Sequence, residues 1–186
     1  MRIFGILLSA LLLAGCASTV TRVRPQPVHL ADVQLDPTPL VEALLARRGT
    51  FVQALNGSWR DRAFQAQCVM KGDGERLTVV VLAPQVRLAT ITVERPHAVS
   101  CEFAPQIPRS FEPEYLLADL AFVNLATDDL RRALAPAFRV EETGAVRRIL
   151  TARGTPVAEL ERLADGDTTF RNLQHGYSYT LRTIAE

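Results

Sequence analysis

Thiols and imidazoles are the side chains of this sequence best suited to chemistry, and the chain has three of each. A cysteine can attack, bind a metal or form a disulfide, and a histidine can transfer a proton or bind a metal. The histidines are His29, His97 and His175, and none has a carboxylate or thiol at the spacing of a ligand set. Asp128 and Asp129 pair two carboxylates, but this position suits the start of a helix. The sequence therefore predicts no metal, no cofactor and no enzyme.

Cys16 has the most informative surroundings. Residues 1–15 begin with a charged Met-Arg pair, continue as an apolar run and end in small residues, which is typical of a signal peptide. The run is shorter than the ~20 apolar residues that span a bilayer. A cysteine directly after Leu-Ala-Gly resembles the lipobox of bacterial lipoproteins. That resemblance implies acyl chains, palmitate among them, on Cys16; the alternative is an ordinary signal peptide that contains a cysteine.

The residues directly after Cys16 indicate in which membrane a lipid-anchored protein would reside. Lipoproteins with Asp at the next position usually stay at the inner membrane, whereas this chain has Ala17 and Ser18. The resemblance thus implies a lipid anchor in the outer membrane, facing the periplasm. Residues 16–36, interrupted by Pro25 and Pro27, are expected to form a lipidated tether.

Composition indicates one globular domain, expected over residues 37–186. The chain has 186 residues and 48% hydrophobic residues, enough for a single core. Its 21 Lys and Arg residues balance 20 Asp and Glu residues, so no positive surface for nucleic acid is expected. The protein is expected to be a monomer.

Periodicity predicts a helix followed by a meander in the first half of the chain. Apolar spacing favours a helix over 39–48. We expect strands at 50–55 and 63–70 around an Asn56-Gly57 turn, because Asn-Gly is a strong hairpin signal. A second turn at 71–74 and three further strands ending near Phe103 complete five antiparallel strands.

The second half contains two helices and then strands again. Helices are expected from Pro113 and from Thr127 to Leu134, followed by four or five strands separated by glycine-containing turns. This order predicts an α+β fold: a strongly curved antiparallel sheet of about 9–10 strands, with helices packed on its inner face.

The layout resembles the Lol (LolA/LolB-like) superfamily, the periplasmic lipoprotein carrier and its outer-membrane receptor. The stretch 64–93, with its Leu-Ala-Pro triplet at 82–84, and the ending 176–181 more closely resemble a family of uncharacterised bacterial lipoproteins. Their genes often lie beside genes for aryl-polyene or fatty-acid-like synthesis. The resemblance implies an incomplete β-barrel with a helical plug over an apolar cavity that takes acyl chains. Two features differ: Gln85 replaces a frequent glycine, and loop 94–97 is polar where the Lol receptor has an apolar membrane contact.

Alternation places one set of apolar residues on the inner face, where they would line such a cavity. An ordinary packed core is the alternative, because helices on a sheet must bury these residues in either case. The set is Leu77, Val79, Val81, Val99, Phe103, Leu117, Leu120, Phe122, Tyr177, Tyr179 and Leu181.

Cys68 and Cys101 leave two alternatives open. An oxidising compartment favours a disulfide. The predicted meander places them on its second and fifth strands, ~14 Å apart, whereas a disulfide needs Cα atoms within ~7 Å. Buried free thiols are the other alternative.

The expected function is binding of an acyl or polyene chain, or an acylated protein, and assistance in its delivery to the outer membrane. The main alternative is an accessory lipoprotein of an envelope complex, with a closed core and no ligand. A third class, an envelope hydrolase, would need a site assembled from distant parts of the chain.

Overall fold

The computed structural model of the protein describes residues 18–59, 62–105, 107 and 112–185. The predicted signal peptide and Cys16 lie outside these residues. The helices are α1 (Thr38–Leu45), α2 (Pro113–Asn124) and α3 (Thr127–Leu134). The strands are β1 (Ser18–Arg22), β2 (Val28–Leu30), β3 (Val33–Leu35), β4 (Arg48–Trp59), β5 (Arg62–Asp73), β6 (Arg76–Ala83), β7 (Val86–Glu94), β8 (Ala98–Phe103), β9 (Phe138–Thr143), β10 (Val146–Thr151), β11 (Pro156–Arg162), β12 (Thr168–Asn172) and β13 (Tyr177–Ala185).

Eleven of these strands form one antiparallel sheet in the order β1-β8-β7-β6-β5-β4-β13-β12-β11-β10-β9. Strands β2 and β3 form a separate hairpin. The sheet is open, with β1 and β9 at its two edges. The α+β class, the antiparallel sheet and the incomplete barrel are confirmed, and the sheet has eleven strands where about 9–10 were expected.

Contacts with α2 show how strongly the sheet curves. Arg22 on β1 forms an ion pair with Glu114 near the start of α2, and Arg147 on β10 donates to the carbonyl of Leu125 at its end. These two strands are nine positions apart in the sheet, which would be ~43 Å in a flat sheet. The two ends of α2 are only ~17 Å apart. The sheet therefore curls around the helix.

The Asn56-Gly57 pair does not form the predicted turn. Both residues lie inside β4, which pairs with β5 over its whole length. The connection between these strands falls at residues 60–61, outside the described residues. A Cβ added to Gly57 would lie 2.3 Å from the carbonyl oxygen of Ser178 on β13. Glycine is needed here for close packing between neighbouring strands, so the turn prediction was wrong.

The predicted turn at 71–74 is also shorter than expected. Strand β5 continues through Gly72 to Asp73, and the chain reverses at residues 74–75. A Cβ on Gly72 would lie 2.3 Å from the carbonyl oxygen of Arg47, so this glycine too permits a close backbone approach. Helix α1 ends at Leu45, and Arg47 follows it in the link to β4.

Residues 18–36 belong to the folded domain, which corrects the predicted tether. Strand β1 pairs with β8 along the sheet edge, with Ser18 opposite Phe103. The β2–β3 hairpin buries Val28, Leu30 and Leu35 in the main core. Prolines interrupt the periodicity of this stretch, but contacts with distant strands still order it.

Candidate functional site

Helix α2 is the central element of the interior. Eight of its residues are buried, in positions distributed around the whole helix. A helix buried on all sides must be enclosed by other elements, and here the curved sheet and α1 enclose it. The space between α2 and the sheet is thus the candidate site.

All eleven predicted inner-face residues belong to the apolar cluster around this helix. Nine of them are buried, and Val81 and Tyr177 are partly buried against the cluster. The structure therefore brings β6, β8, α2 and β13 together as the alternation predicted. That these residues line a ligand cavity remains a prediction.

Two cavities lie along the seam between the helices. The larger, of about 590 Å³, lies between the end of α1, the α2–α3 link and strands β10 and β11. The second, of about 520 Å³, lies between α1 and α3. The larger cavity is open to solvent, and small side chains such as Ala43 and Ala46 line it together with the charged Arg47, Arg147 and Arg162. None of the eleven predicted residues lines either cavity.

A buried polar cluster joins α2 to the sheet. The Asp119 carboxylate accepts hydrogen bonds from the Tyr177 hydroxyl and from the Asn172 side-chain amide, the latter at 3.2 Å. Burial raises the pKa of Asp119 to about 7, although both hydrogen bonds act to lower it. Burial, together with the Asp119 charge, raises the pKa of the Tyr177 phenol as well. The interior therefore holds one carboxyl that titrates near neutral pH.

A second carboxylate fixes the N-terminal segment to the start of α2. One Glu114 oxygen accepts from the guanidinium of Arg22 at 2.8 Å and from the backbone N–H of Gln26 at 3.0 Å. The other oxygen is buried and has no partner among the described residues. Breaking the Arg22 pair would leave a buried charge uncompensated, so this contact strongly favours the observed position of β1.

Three polar side chains hold the C-terminal end of α2. Arg147 is 5% exposed and donates to the carbonyls of Phe122, at 3.3 Å, and Leu125, at 2.9 Å. Arg47 donates to the carbonyl of Asn124, whose side chain also accepts from Gln53 at 2.8 Å. The last carbonyls of a helix lack partners within the helix. Arg47 and Arg147 satisfy three of them, and Gln53 holds the Asn124 side chain. We call Arg47, Gln53 and Arg147 the latch.

Both interior cysteines are free thiols, on strands separated by two others. Of the two alternatives left open, the structure therefore has buried free thiols. Burial raises the pKa of Cys68 and of Cys101 to about 12, so the reactive thiolate is scarce at neutral pH.

These pKa values predict unreactive cysteines in the folded protein. Iodoacetamide at pH 8 should modify Cys68 and Cys101 slowly in buffer and completely in urea, as followed by intact mass. A 2 Da mass increase on reduction would instead reveal a disulfide and contradict the structure.

The polar groups of the interior were missed by sequence analysis. Asp119 and Glu114 lie in the helix expected from Pro113, and Arg147 lies in one of the strands expected after the helices, but neither prediction assigned these residues a buried role. The signal available in the sequence for these buried polar groups was the presence of acidic residues within an otherwise apolar helix. Within the described ranges, no group of three or more His, Cys, Asp or Glu residues could hold a metal ion. No helix in the same ranges is long and apolar enough to cross a membrane.

The geometry defines an α+β protein in which an open antiparallel sheet encloses an apolar helix. The chain belongs to the family described as "Protein of unknown function (DUF3261)", whose model matches residues 50–185. No curated protein matches the chain significantly. Among solved structures it is similar to a domain from Vibrio parahaemolyticus whose description assigns it to outer membrane lipoprotein sorting. The identity is 10% and the TM-score 0.33, with 78% of this chain and 89% of that chain covered.

Proposed function

We propose that the protein is an outer-membrane lipoprotein that binds an acyl chain between α2 and the sheet and helps deliver it to the outer membrane. The ligand is a free acyl or polyene chain or an acylated protein, and the role is non-enzymatic. One observation carries the proposal: an apolar helix lies inside a curved sheet and is held there by a small polar latch. Cys16 would supply the membrane anchor.

Entry of a chain by displacement of α2 would exchange the apolar contacts of α2 for those of the chain. Burying an acyl chain contributes ~0.8 kcal/mol per CH₂, so ten buried CH₂ groups contribute ~8 kcal/mol. A hydrogen bond from a charged donor contributes ~1.5–3 kcal/mol. The bonds of Arg147 are one part of the cost of moving α2. Each buried apolar side chain of α2, such as Leu117 or Phe122, costs a further ~1.5–3 kcal/mol unless the acyl chain takes its place against the sheet. The larger cavity, which Arg147 also lines, is the proposed entrance.

The latch can be tested by replacing Arg147 with methionine. Arg147→Met removes the donors to Phe122 and Leu125 and should lower the free energy of unfolding by ~1–3 kcal/mol. If opening of α2 limits entry, uptake of a dansyl-labelled fatty acid should accelerate about tenfold, the factor that corresponds to 1.4 kcal/mol. Stopped-flow fluorescence measures the uptake rate.

Arg148→Met is the matched control, since Arg148 is the next residue on β10 and its side chain is 51% exposed. Arg148→Met should leave the free energy of unfolding and the uptake rate near their wild-type values, because the ion pair between Arg148 and Glu159 lies on the surface. Equal uptake rates for Arg147→Met and wild type would contradict the latch.

An accessory lipoprotein with a closed core is the second candidate. The observation that favours it is the packing of the eleven predicted residues into one buried cluster, away from both cavities. It differs from the first candidate in one measurable respect: a closed core takes up no fatty acid in wild type or in Arg147→Met.

A further inference from the structure

Three arginines line the larger of the two cavities, at the seam between the helices. They are Arg47 from the link between α1 and β4, Arg147 from β10 and Arg162 from the end of β11. Among the described residues that line this cavity, Asp129 is the one carboxylate, and it forms an ion pair with Arg132 of its own helix. The whole chain carries a formal net charge of only +1. Positive charge is therefore concentrated at this cavity.

The contacts of these arginines neutralise them incompletely. Arg162 lies 3.2 Å and Arg147 lies 3.7 Å from the same oxygen, Oε1 of Glu142, so two guanidinium groups share one carboxylate. Arg47 donates to a backbone carbonyl and lies over the Phe51 ring, 4.3 Å from its centroid. Neither of these two partners of Arg47 carries a full charge. An anion that enters the cavity would therefore meet an excess of cations.

Arg147 holds an unused donor. Its Nη1 donates to the end of α2, whereas its Nε is buried and has no hydrogen-bond partner among the described residues. Burial lowers the pKa of this guanidinium; the charge of Glu142 opposes that shift, and the charges of Arg162 and Arg131 add to it. A carboxylate or phosphate accepts two parallel N–H bonds from one edge of a guanidinium. The free Nε therefore suits an oxyanion.

The start of α3 adds backbone donors to the same cavity. Ala126 lines the cavity and directly precedes α3, and no side chain of the described residues caps the helix there. The first N–H groups of a helix lack partners within it and carry partial positive charge. Asp128 and Asp129 in the first turn oppose a bound anion, but each forms an ion pair with an arginine three residues later. The helix start and the arginines thus favour the same sign of ligand charge.

We propose that the larger cavity binds the anionic head of an acyl ligand, a carboxylate or a phosphate, on the guanidinium groups of Arg162 and Arg147. This inference rests on the proposed function, because the chain attached to the head would lie between α2 and the sheet. It selects a chain with a free acid end over an acylated protein, whose ester- or amide-linked acyl group is neutral.

The two arginines would act in sequence. The Arg162 side chain is 61% exposed, so it meets the head first. Nε of Arg147 is closed to solvent and becomes accessible only when the groups around it shift. The oxygens of the head would then replace the carbonyls of Phe122 and Leu125 as acceptors for Arg147. Binding of the head would thereby favour release of the end of α2.

Three ligands of equal chain length test the proposal: hexadecanoate, hexadecyl phosphate and hexadecanol. The full chain is freed of lipid and held in amphipol, and each ligand displaces a dansyl-labelled fatty acid, with empty amphipol as the blank. Wild type should bind at least one of the two anions about tenfold more tightly than the alcohol, a factor that corresponds to 1.4 kcal/mol. The anion that binds more tightly identifies the head as carboxylate or phosphate.

Arg162→Gln separates recognition of the head from recognition of the chain. The ion pair of Arg162 is with Glu142 of β9 rather than with α2, so this replacement keeps the latch. The preferred anion should then bind about tenfold more weakly, and the alcohol should bind as it does to wild type. Arg148→Gln removes an equal charge from an exposed side chain and, as the matched control, should leave all three affinities unchanged. Arg162→Met is the second variant in case Arg162→Gln folds poorly.

The outcomes distinguish this inference from the proposed function. Equal affinities of wild type for the anions and the alcohol would refute the anionic-head site and leave acyl-chain binding intact. An anion affinity that Arg162→Gln and Arg162→Met leave unchanged would do the same. If neither the dansyl-labelled fatty acid nor any of the three ligands binds, the proposed function is overturned together with this inference.

Discussion

Asp119→Asn is expected to raise the free energy of unfolding at pH 8 by about 2–4 kcal/mol. Burial raises the pKa of this carboxyl from 3.8 to about 7 in the folded protein. The folded state therefore binds a proton that the unfolded state has lost between about pH 4 and pH 7, and stability falls as pH rises through this window. Each pKa unit corresponds to ~1.4 kcal/mol, so the total penalty approaches ~4 kcal/mol above pH 7.

Urea unfolding at pH 5 and pH 8 measures this effect. Deprotonation of Asp119 should lower the free energy of unfolding of the wild type by ~2–3 kcal/mol between pH 5 and pH 8. The amide of Asp119→Asn resembles the protonated carboxyl, so that part of the pH dependence should disappear. Asp128→Asn, on the exposed surface of α3, is the control and should change little. An unchanged pH slope in Asp119→Asn would show that Asp119 is not the titrating group.

Gly57→Ala is expected to destabilise the protein by ~3 kcal/mol or more, although alanine is the smallest replacement. The new Cβ would lie 2.3 Å from the carbonyl oxygen of Ser178, 2.6 Å from Cβ of Tyr179 and 2.8 Å from the ring of Phe64. The first two atoms belong to the backbone of β13 or lie next to it, so strands β4 and β13 would have to separate. Overpacking of this kind costs ~1–3 kcal/mol and occasionally more.

The midpoint of urea unfolding measures this loss, and Gly144→Ala is the control. Nothing lies within 4 Å of a Cβ at Gly144, so only its positive φ of 59° opposes alanine. That strain costs ~1–2 kcal/mol. If Gly57→Ala were no worse than Gly144→Ala, the close approach of β4 and β13 would be refuted.

Gly57 also shows where prediction from sequence fails for this chain. Local patterns placed α2, α3 and the later strands, because Pro84, Gly144, Gly154 and Gly176 mark real turns. Asn56-Gly57 carries the same local signal, but its glycine is required by a strand more than 100 residues later in the chain. A local pattern cannot show such a partner. The prediction of a tether at residues 18–35 was wrong for the same reason, since contacts with β8 and α2 order this stretch.

The candidate site was predictable in its apolar part and not in its polar part. Alternation correctly placed residues such as Val79, Phe103 and Leu117 in one cluster. The partners of Asp119 and Arg147 lie 22 to 58 residues away in the chain, and no spacing rule connects them. The polar contacts contribute to the energy of opening in the proposed mechanism, so the mechanism depends in part on residues that the sequence pattern did not single out.

Native mass spectrometry of the full chain, extracted from the cell envelope in a non-ionic detergent, tests the central claim most directly. The account predicts a non-covalent acyl lipid in addition to any acyl groups on Cys16. It also predicts that a dansyl-labelled fatty acid binds to the emptied protein. A chain that carries no non-covalent lipid and does not bind the fatty acid, as wild type or as Arg147→Met, would contradict acyl-chain binding and favour a closed accessory lipoprotein.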